Sequence, residues 1–344
     1  MKRSSAGLVL SVAGMAAVLA LAPPARGDSV ADFYKGKDVT LIVGSGSGGT
    51  NALYGRTLAA HLGRHIPGKP NVIAQFMPGG GGIKAANYFY TVAPKDGTVL
   101  LHPQSSHPQA QVLGSPGVKF DVTKYFYLGR TASQNSGIFV WHTVAAKTLM
   151  DVRTHEVIIG ASGRGSETYQ DPTIINSVLG TKFKVITGYK GGGEMDLALE
   201  RGETTGDAGP ILSVFVRQQH WLQKNLIRFL VQTGSERHFR LPDVPLLTEF
   251  ARNDEERAVF AFMSARANIG RTLVAPPGVP AERVAALRKA MADVLKDPAF
   301  LAEAEQRKMD VIPASAQEVE AAVKVVFDTP PAVIARVKKA LDLK

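Results

Sequence analysis

Serine and threonine hydroxyls, glycine amides and two cations recur in a few loops of this sequence, and together they make equipment for holding a carboxylate. The first loop reads Gly44-Ser-Gly-Ser-Gly-Gly49 and runs into Thr50 and Asn51, so Ser45, Gly46, Ser47, Gly48, Gly49, Thr50 and Asn51 stand as one candidate cradle. Ser105 and Ser106 follow an apolar run, and Ala161-Ser162-Gly163-Arg164 and Tyr189-Lys190-Gly191 form two further loops. Glycine lets the backbone approach a ligand, and a helix N-terminus behind such a loop offers free amides and the positive dipole end. Arg164 could grip a carboxylate through two N–H groups, and Lys190 could supply a point charge.

Other chemistries fit less well. Gly44, Gly46 and Gly49 satisfy G-x-G-x-x-G, which keeps an NAD(P)-dependent oxidoreductase as the alternative. A dinucleotide site also needs an acid roughly 20 residues on for the ribose, and no Asp or Glu occurs from Val39 to Lys95. A glycine turn that binds nothing is the plainer reading of the same loop. His61 and His65 have metal-like spacing, but no glutamate lies between them and Arg64 repels a cation. Surface or half-buried histidines are the better reading, while His102 and His107 either reach a ligand or only shape their loop. No G-x-S-x-G elbow and no Walker lysine pattern is present.

The elements that must carry these loops are strands and helices in alternation. Val39, Leu41, Ile42 and Val43 predict a strand buried on both faces, and Thr50 or Asn51 is placed to cap the helix through Leu53, Leu58 and Leu62. Asn71–Gln75 and Thr98–Leu101 predict two more strands, with a helix over Ile83–Tyr90. That alternation implies a parallel sheet with loops at the carboxyl ends of its strands. A second α/β region begins near Gly137, with strands at Val157–Ile159, Lys184–Ile186 and Ile227–Val231 and a helix over Glu194–Arg201. Asp207-Ala-Gly-Pro210 reads as the lead into a helix through Ile211, Val214 and Phe215. Helices over Glu282–Lys296, from a capping box at Ser315 and Glu318, and to near Leu343 end the chain. Two glycine-loop halves plus a helical end predict two lobes with a cleft between them that closes by a hinge.

Composition narrows the setting. Lys2 and Arg3, an apolar run Ala6–Ala22 and Ala25-Arg-Gly27 make a secretory signal with cleavage after Gly27. Its removal takes the net charge from +10 to about +7, still suited to acidic ligands. The basic residues are scattered, so nucleic acid is not an expected partner. No cysteine occurs, which excludes disulfides, thiolate metal sites and a lipid-anchored lipoprotein.

The blocks, in order, resemble the extracytoplasmic solute receptors of the tripartite tricarboxylate transporters, the Bug or TctC family. Phe33–Val43 with its glycine loop, Met77-Pro-Gly-Gly-Gly-Gly82 with Ala85-Ala-Asn-Tyr88, and Ala93-Pro-Lys-Asp-Gly-Thr98 are similar to the family's first three blocks. Ile158–Gly165, Gly188-Tyr-Lys-Gly-Gly-Gly193, Arg237–Pro245 and Val274-Ala-Pro-Pro-Gly-Val-Pro280 match later ones. The resemblance implies a type II periplasmic-binding-protein fold of the α/β class, with lobe one over 28–137 plus 267–344 and lobe two over 138–266. It implies a non-enzymatic, periplasmic, monomeric receptor without cofactor or metal. A di- or tricarboxylate or an aromatic acid would be captured and passed to a two-subunit membrane permease, or would serve signalling. It places the ligand against Ser45–Asn51, Ser105/Ser106, Ala161–Arg164, Tyr189–Gly191 and Asp207. The chain departs from the family pattern in its proline-free first loop, in Arg266-Ala-Asn-Ile-Gly270 where a tryptophan is usual, and in Gly202–Asp207.

Overall fold

The computed structural model describes Met1 and residues 29–343, and the signal segment expected over residues 1–27 lies, Met1 apart, outside the described residues. The first strand, β1 (Asp38–Val43), is flanked by β2 (Asn71–Phe76) and β3 (Val99–His102), both parallel to it. Next come β4 (Phe126–Arg130), β5 (Ser136–Trp141), β6 (Val157–Ala161), β7 (Phe183–Thr187), β8 (Gly206–Pro210), β9 (Ile227–Thr233) and β10 (Thr272–Ala275). They form two five-stranded sheets, ordered β2-β1-β3-β10-β4 and β7-β6-β8-β5-β9. The chain crosses from the first sheet to the second after β4 and returns before β10. β10 then inserts antiparallel between β3 and β4.

The apolar run of β1 explains its central place. Leu41 and Val43 face one apolar cluster with Leu100 and Leu273, while Ile42 faces another with Phe89, Leu101 and Val274. Helices cover both faces, as a parallel sheet requires. The second cluster continues into the other sheet through Ile138, Ile159 and Leu230, so the lobes share one core near the crossovers. Among the described residues no helix is long and apolar enough to cross a membrane.

Two elements depart from the reading of the sequence. Asp207–Pro210 precedes the helix Leu212–Arg217 as expected, but it is itself most of β8, the middle strand of the second sheet. Glycine suits it because a Cβ on Gly206 would lie 2.7 Å from the Phe139 carbonyl oxygen, and Pro210 stands at the strand's end, where a missing donor costs little. β4 carries no strong alternation and was not anticipated. The helix Thr50–Leu62 forms as expected, but its N-cap is Gly49 and no side chain caps it.

The C-terminus is divided between the lobes. The helix Ala316–Phe327, with the expected Ser315–Glu318 capping box, packs on β4 and the helix His107–Val112. After Pro330 the helix Pro331–Ala340 packs instead on Glu167–Leu179 and Asp254–Ser264 of the second lobe. Arg336 fastens it by donating to the Ser177 carbonyl oxygen at 3.1 Å. The expected boundary after Gly137 falls within β5.

Candidate functional site

The carboxyl ends of the central strands of both sheets face one another across a cleft. From the first lobe it is lined by the loops after β1, β2 and β3, and from the second by those after β6, β7 and β8. The lobes are closed: Gly46 N–H donates to the Lys190 carbonyl oxygen at 2.9 Å, and Ser106 Oγ donates to that of Gly165 at 3.0 Å. Much of the seam is glycine against glycine. A Cβ on Gly163 would lie 2.8 Å from the Gly80 carbonyl carbon, and one on Gly193 3.0 Å from the Gly48 oxygen. The loop before Ile83 turns through Gly79–Gly82, all at positive φ, a conformation side chains rarely allow. The cavity left inside is small, about 70 Å³.

Three helix N-termini point into this space, at Gly49, Ser166 and Gly191, and none has a side-chain cap bond. Their first N–H groups have no partner within the helix, and their dipoles bring partial positive charge. Thr50 does not cap its helix because its hydroxyl crosses the cleft, donating to Ser213 Oγ at 2.9 Å and accepting from Arg217 Nη1. Gln104 donates to the Gly44 carbonyl oxygen and accepts from Asn51 Nδ2 at 2.7 Å, which leaves Asn51 Oδ1 buried and without a donor among the described residues.

The charges at the cleft are mostly spent on one another. Glu167 accepts from Gln134, from Ser136 Oγ at 2.7 Å and from Arg266 Nε at 3.2 Å. Arg217 holds Asp196 at 2.6 Å. Arg271 is the exception. It stands just before β10, is 3% exposed and lies over the Tyr54 ring at 5.3 Å. Its Nη2 has no hydrogen-bond partner among the described residues, and no carboxylate lies within ion-pair distance. Burial pulls its pKa down from the usual arginine value, with Arg217 adding to the effect. An unpaired guanidinium facing a cleft ringed by helix N-termini has the chemistry that suits an anion.

Of the expected residues, Ser45, Gly49, Thr50, Asn51, Ser162, Lys190 and Gly191 line the cleft. Gly46 and Gly48 belong to the seam, and Ser47 gives its carbonyl oxygen to Arg56. Ser105 and Ser106 are buried behind the lining, where Ser105 Oγ accepts from Gln134 at 3.5 Å. Ala161 ends β6, its carbonyl oxygen accepting from Gly188 and Tyr189 N–H, and the Tyr189 ring packs over Gly160. Gly163 meets Gly80 and Gly81. Arg164 is exposed and sits over the Tyr169 ring at 5.8 Å, outside the lining, because its loop turns its backbone rather than its side chain to the other lobe. The Lys190 side chain is also exposed, paired with Glu194 at 3.5 Å, and lends the cleft its backbone. Asp207 lies behind the lining in a side chamber.

Arg271, Arg217 and Asp196 were missed by sequence reasoning, which looked for cations inside glycine loops. The available signal was an arginine directly abutting an all-buried strand, Thr272–Ala275. The histidines are structural. His61 and His65 bond Glu303 at 2.6 Å and Asp297 at 2.8 Å, clipping the helix Thr50–Leu62 to the helix Pro298–Gln306. His102 and His107 are fully buried, and desolvation pushes each down to about 4, so both are neutral. His102 Nδ1 bonds the Thr272 carbonyl oxygen and thereby steadies the residue after Arg271.

The family described as the tripartite tricarboxylate transporter family receptor matches residues 56–338. No curated relative matches the sequence. Among solved structures, the periplasmic binding protein BugD superposes with a TM-score of 0.71 at 19% identity, covering 89% of this chain and 98% of that one. MatC from Rhodopseudomonas palustris with bound malate gives 0.69 at 19% identity, covering 89% and 99%. An adipate-bound R. palustris protein gives 0.67 at 20% identity, covering 89% and 98%. These identities establish a shared fold: two α/β lobes around a cleft. The oxidoreductase reading of Gly44, Gly46 and Gly49 gains no support. Gly46 N–H is spent on Lys190, and Gly48 and Gly49 pack against Gly193 and Gly192.

Proposed function

The chain belongs to the receptor family of the tripartite tricarboxylate transporters, and on that premise we propose that its cleft captures a small organic carboxylate anchored on Arg271. One observation carries the reading: a buried guanidinium, unpaired among the described residues, faces a cleft onto which three uncapped helix N-termini converge. The malate and adipate held by two structural relatives are consistent with that chemistry. In the open state water solvates the anion and the guanidinium. Closure expels that water, the glycine seam docks, and the carboxylate takes two N–H groups of Arg271 while loop amides satisfy its remaining lone pairs. The receptor acts as a monomer outside the cytoplasmic membrane after removal of residues 1–27, and hands its ligand to a two-subunit permease.

Thermal shift of the chain from Asp28 onward, against aliphatic, aromatic and tricarboxylic acids with NAD and NADP as controls, tests this. A ligand at about 100 times its Kd adds roughly 2.7 kcal/mol, enough to move the midpoint by several degrees. The expected result is a shift with a carboxylate that is lost in Arg271→Gln and kept in Arg164→Ala. A shift with NAD alone, or an Arg271→Gln variant that binds as before, would overturn the reading.

A further inference from the structure

Behind the main cleft lies a second, smaller chamber whose chemistry is opposite to that of Arg271. It holds about 30 Å³, space for one or two water-sized groups. It shares Thr168, Gly192, Met195, Pro210, Ser213 and Arg217 with the main cleft, so the two are continuous. Its inner wall carries Asp207 and Asp196.

The bonding in this chamber is unequal. Asp196 is the partner of Arg217, whose Nε and Nη2 both donate to Asp196 Oδ2, at 2.9 and 2.6 Å, while Arg217 Nη1 reaches Thr50. Gln218 also donates to Asp196 Oδ2, at 3.2 Å. Asp207 is 9% exposed, and its Oδ1 takes only the N–H of Ala208, at 2.8 Å. No donor among the described residues reaches its Oδ2. The cleft therefore carries an unpaired cation in one lobe and an under-bonded acid in the other, with the one cation beside that acid already engaged.

Resting on the carboxylate reading above, we propose that this chamber receives the far end of the ligand, and that this end is a hydrogen-bond donor, an ammonium or a hydroxyl. The captured molecule is then a small amino- or hydroxy-substituted carboxylate, with its carboxylate on Arg271 and its donor on Asp207. A carboxylate at the far end would meet two acids at close range, where like charges repel. A methyl there would leave Asp207 Oδ2 buried without a donor, which is costly. Burial, with Asp196 adding to it, raises the Asp207 pKa to about 7. A ligand ammonium reverses that pressure by supplying the missing positive charge, and a hydroxyl donates to the acid with less dependence on its ionisation.

Calorimetric titration of the full mature chain with straight-chain acids of three to six carbons tests this, each bearing hydrogen, hydroxyl, ammonium or carboxylate at the far end. At the best-fitting length the hydroxyl or ammonium member binds at least about tenfold tighter than the plain acid, and the dicarboxylate no tighter than it. Asp207→Asn, nearly equal in volume, removes that preference, read as the ratio of donor-bearing to plain acid within the variant. Loss of the preference for the ammonium member alone names an amino acid-type ligand, whereas comparable loss for the hydroxyl member names a hydroxy acid. Equal affinities for plain and donor-bearing members, or tighter binding of the dicarboxylate, would overturn the chamber's role while leaving the Arg271 site standing, as would an unaltered ranking in Asp207→Asn. Silence from every acid in this series would overturn the chamber's role, and silence across the wider panel above would overturn the Arg271 site as well. The wild-type ranking decides the matter even where the variant folds poorly.

Discussion

Arg266 and Arg271 leave the same return segment one helical turn and a half apart in sequence, and each is 3% exposed, yet the two are bonded in opposite ways. Arg266 closes on Glu167 and Asp171, acids from the first turns of one second-lobe helix. Arg271 closes on no acid and keeps Nη2 without a partner. A buried charge is tolerated only when something offsets its lost hydration. For Arg266 that compensation is part of the chain and is present from folding onward. For Arg271, on the reading proposed above, it comes from a molecule that arrives later. Burial alone thus separates neither role. What separates them is whether the partner is encoded.

Single substitutions test the contrast between the two arginines. The largest effect is expected at Arg266→Met, which strands two buried carboxylates and costs about 3–5 kcal/mol of stability, read from urea unfolding. An unchanged midpoint would mean that the acids find other partners and that the encoded pair is dispensable.

Asp207 extends the contrast to an acid. Below pH 3.8 it is protonated in folded and unfolded chain alike; between there and about 7 the folded chain holds the proton more tightly. Its contribution to stability is therefore complete at low pH and lost as pH rises through about 7. Asp207→Asn should match the wild type near pH 4 and exceed it by roughly 4 kcal/mol at pH 8 without ligand, in melts followed by circular dichroism. A constant difference across that range would assign the effect to packing.

At Arg271→Met the sign opposes that of Arg266: removing a cation with no partner should stabilise the ligand-free protein by roughly 1–2 kcal/mol while abolishing carboxylate binding. Destabilisation there would show that the chain does supply a partner. Smallest of all, Arg164→Ala should stay within about 0.5 kcal/mol in stability, with ligand affinity unchanged, because its side chain faces solvent beside Tyr169.

How much of this was legible beforehand follows from what each feature depends on. β1, β2 and β3 were readable because their apolar runs are local, and so was the Ser315 cap, whose partners are three residues apart. The loops around the cleft were readable because glycine runs at strand ends have few other uses. β8 was not, since Gly206 and Gly209 give it no hydrophobic pattern and its place is set by Phe139 of β5 and Val157 of β6, the strands on its two sides. The value of an arginine was hidden for a related reason. Arg164 and Arg271 look alike in sequence, and only the distant positions of Tyr54, Glu167 and Ala132 decide which is buried at the cleft.

The divided C-terminus bears on how the molecule moves. Segments 131–135 and 265–271 already link the lobes, and the short stretch between Phe327 and Pro331 adds a third link, anchored on one lobe at each side. Two bodies joined at one point can swivel freely, whereas three separate tethers leave little but rotation about a single axis. A hinge opening about these links would be a one-dimensional motion that keeps the two loop rims in register. The glycine faces that part in it would then be the same ones that meet on the next approach, without a search over orientations.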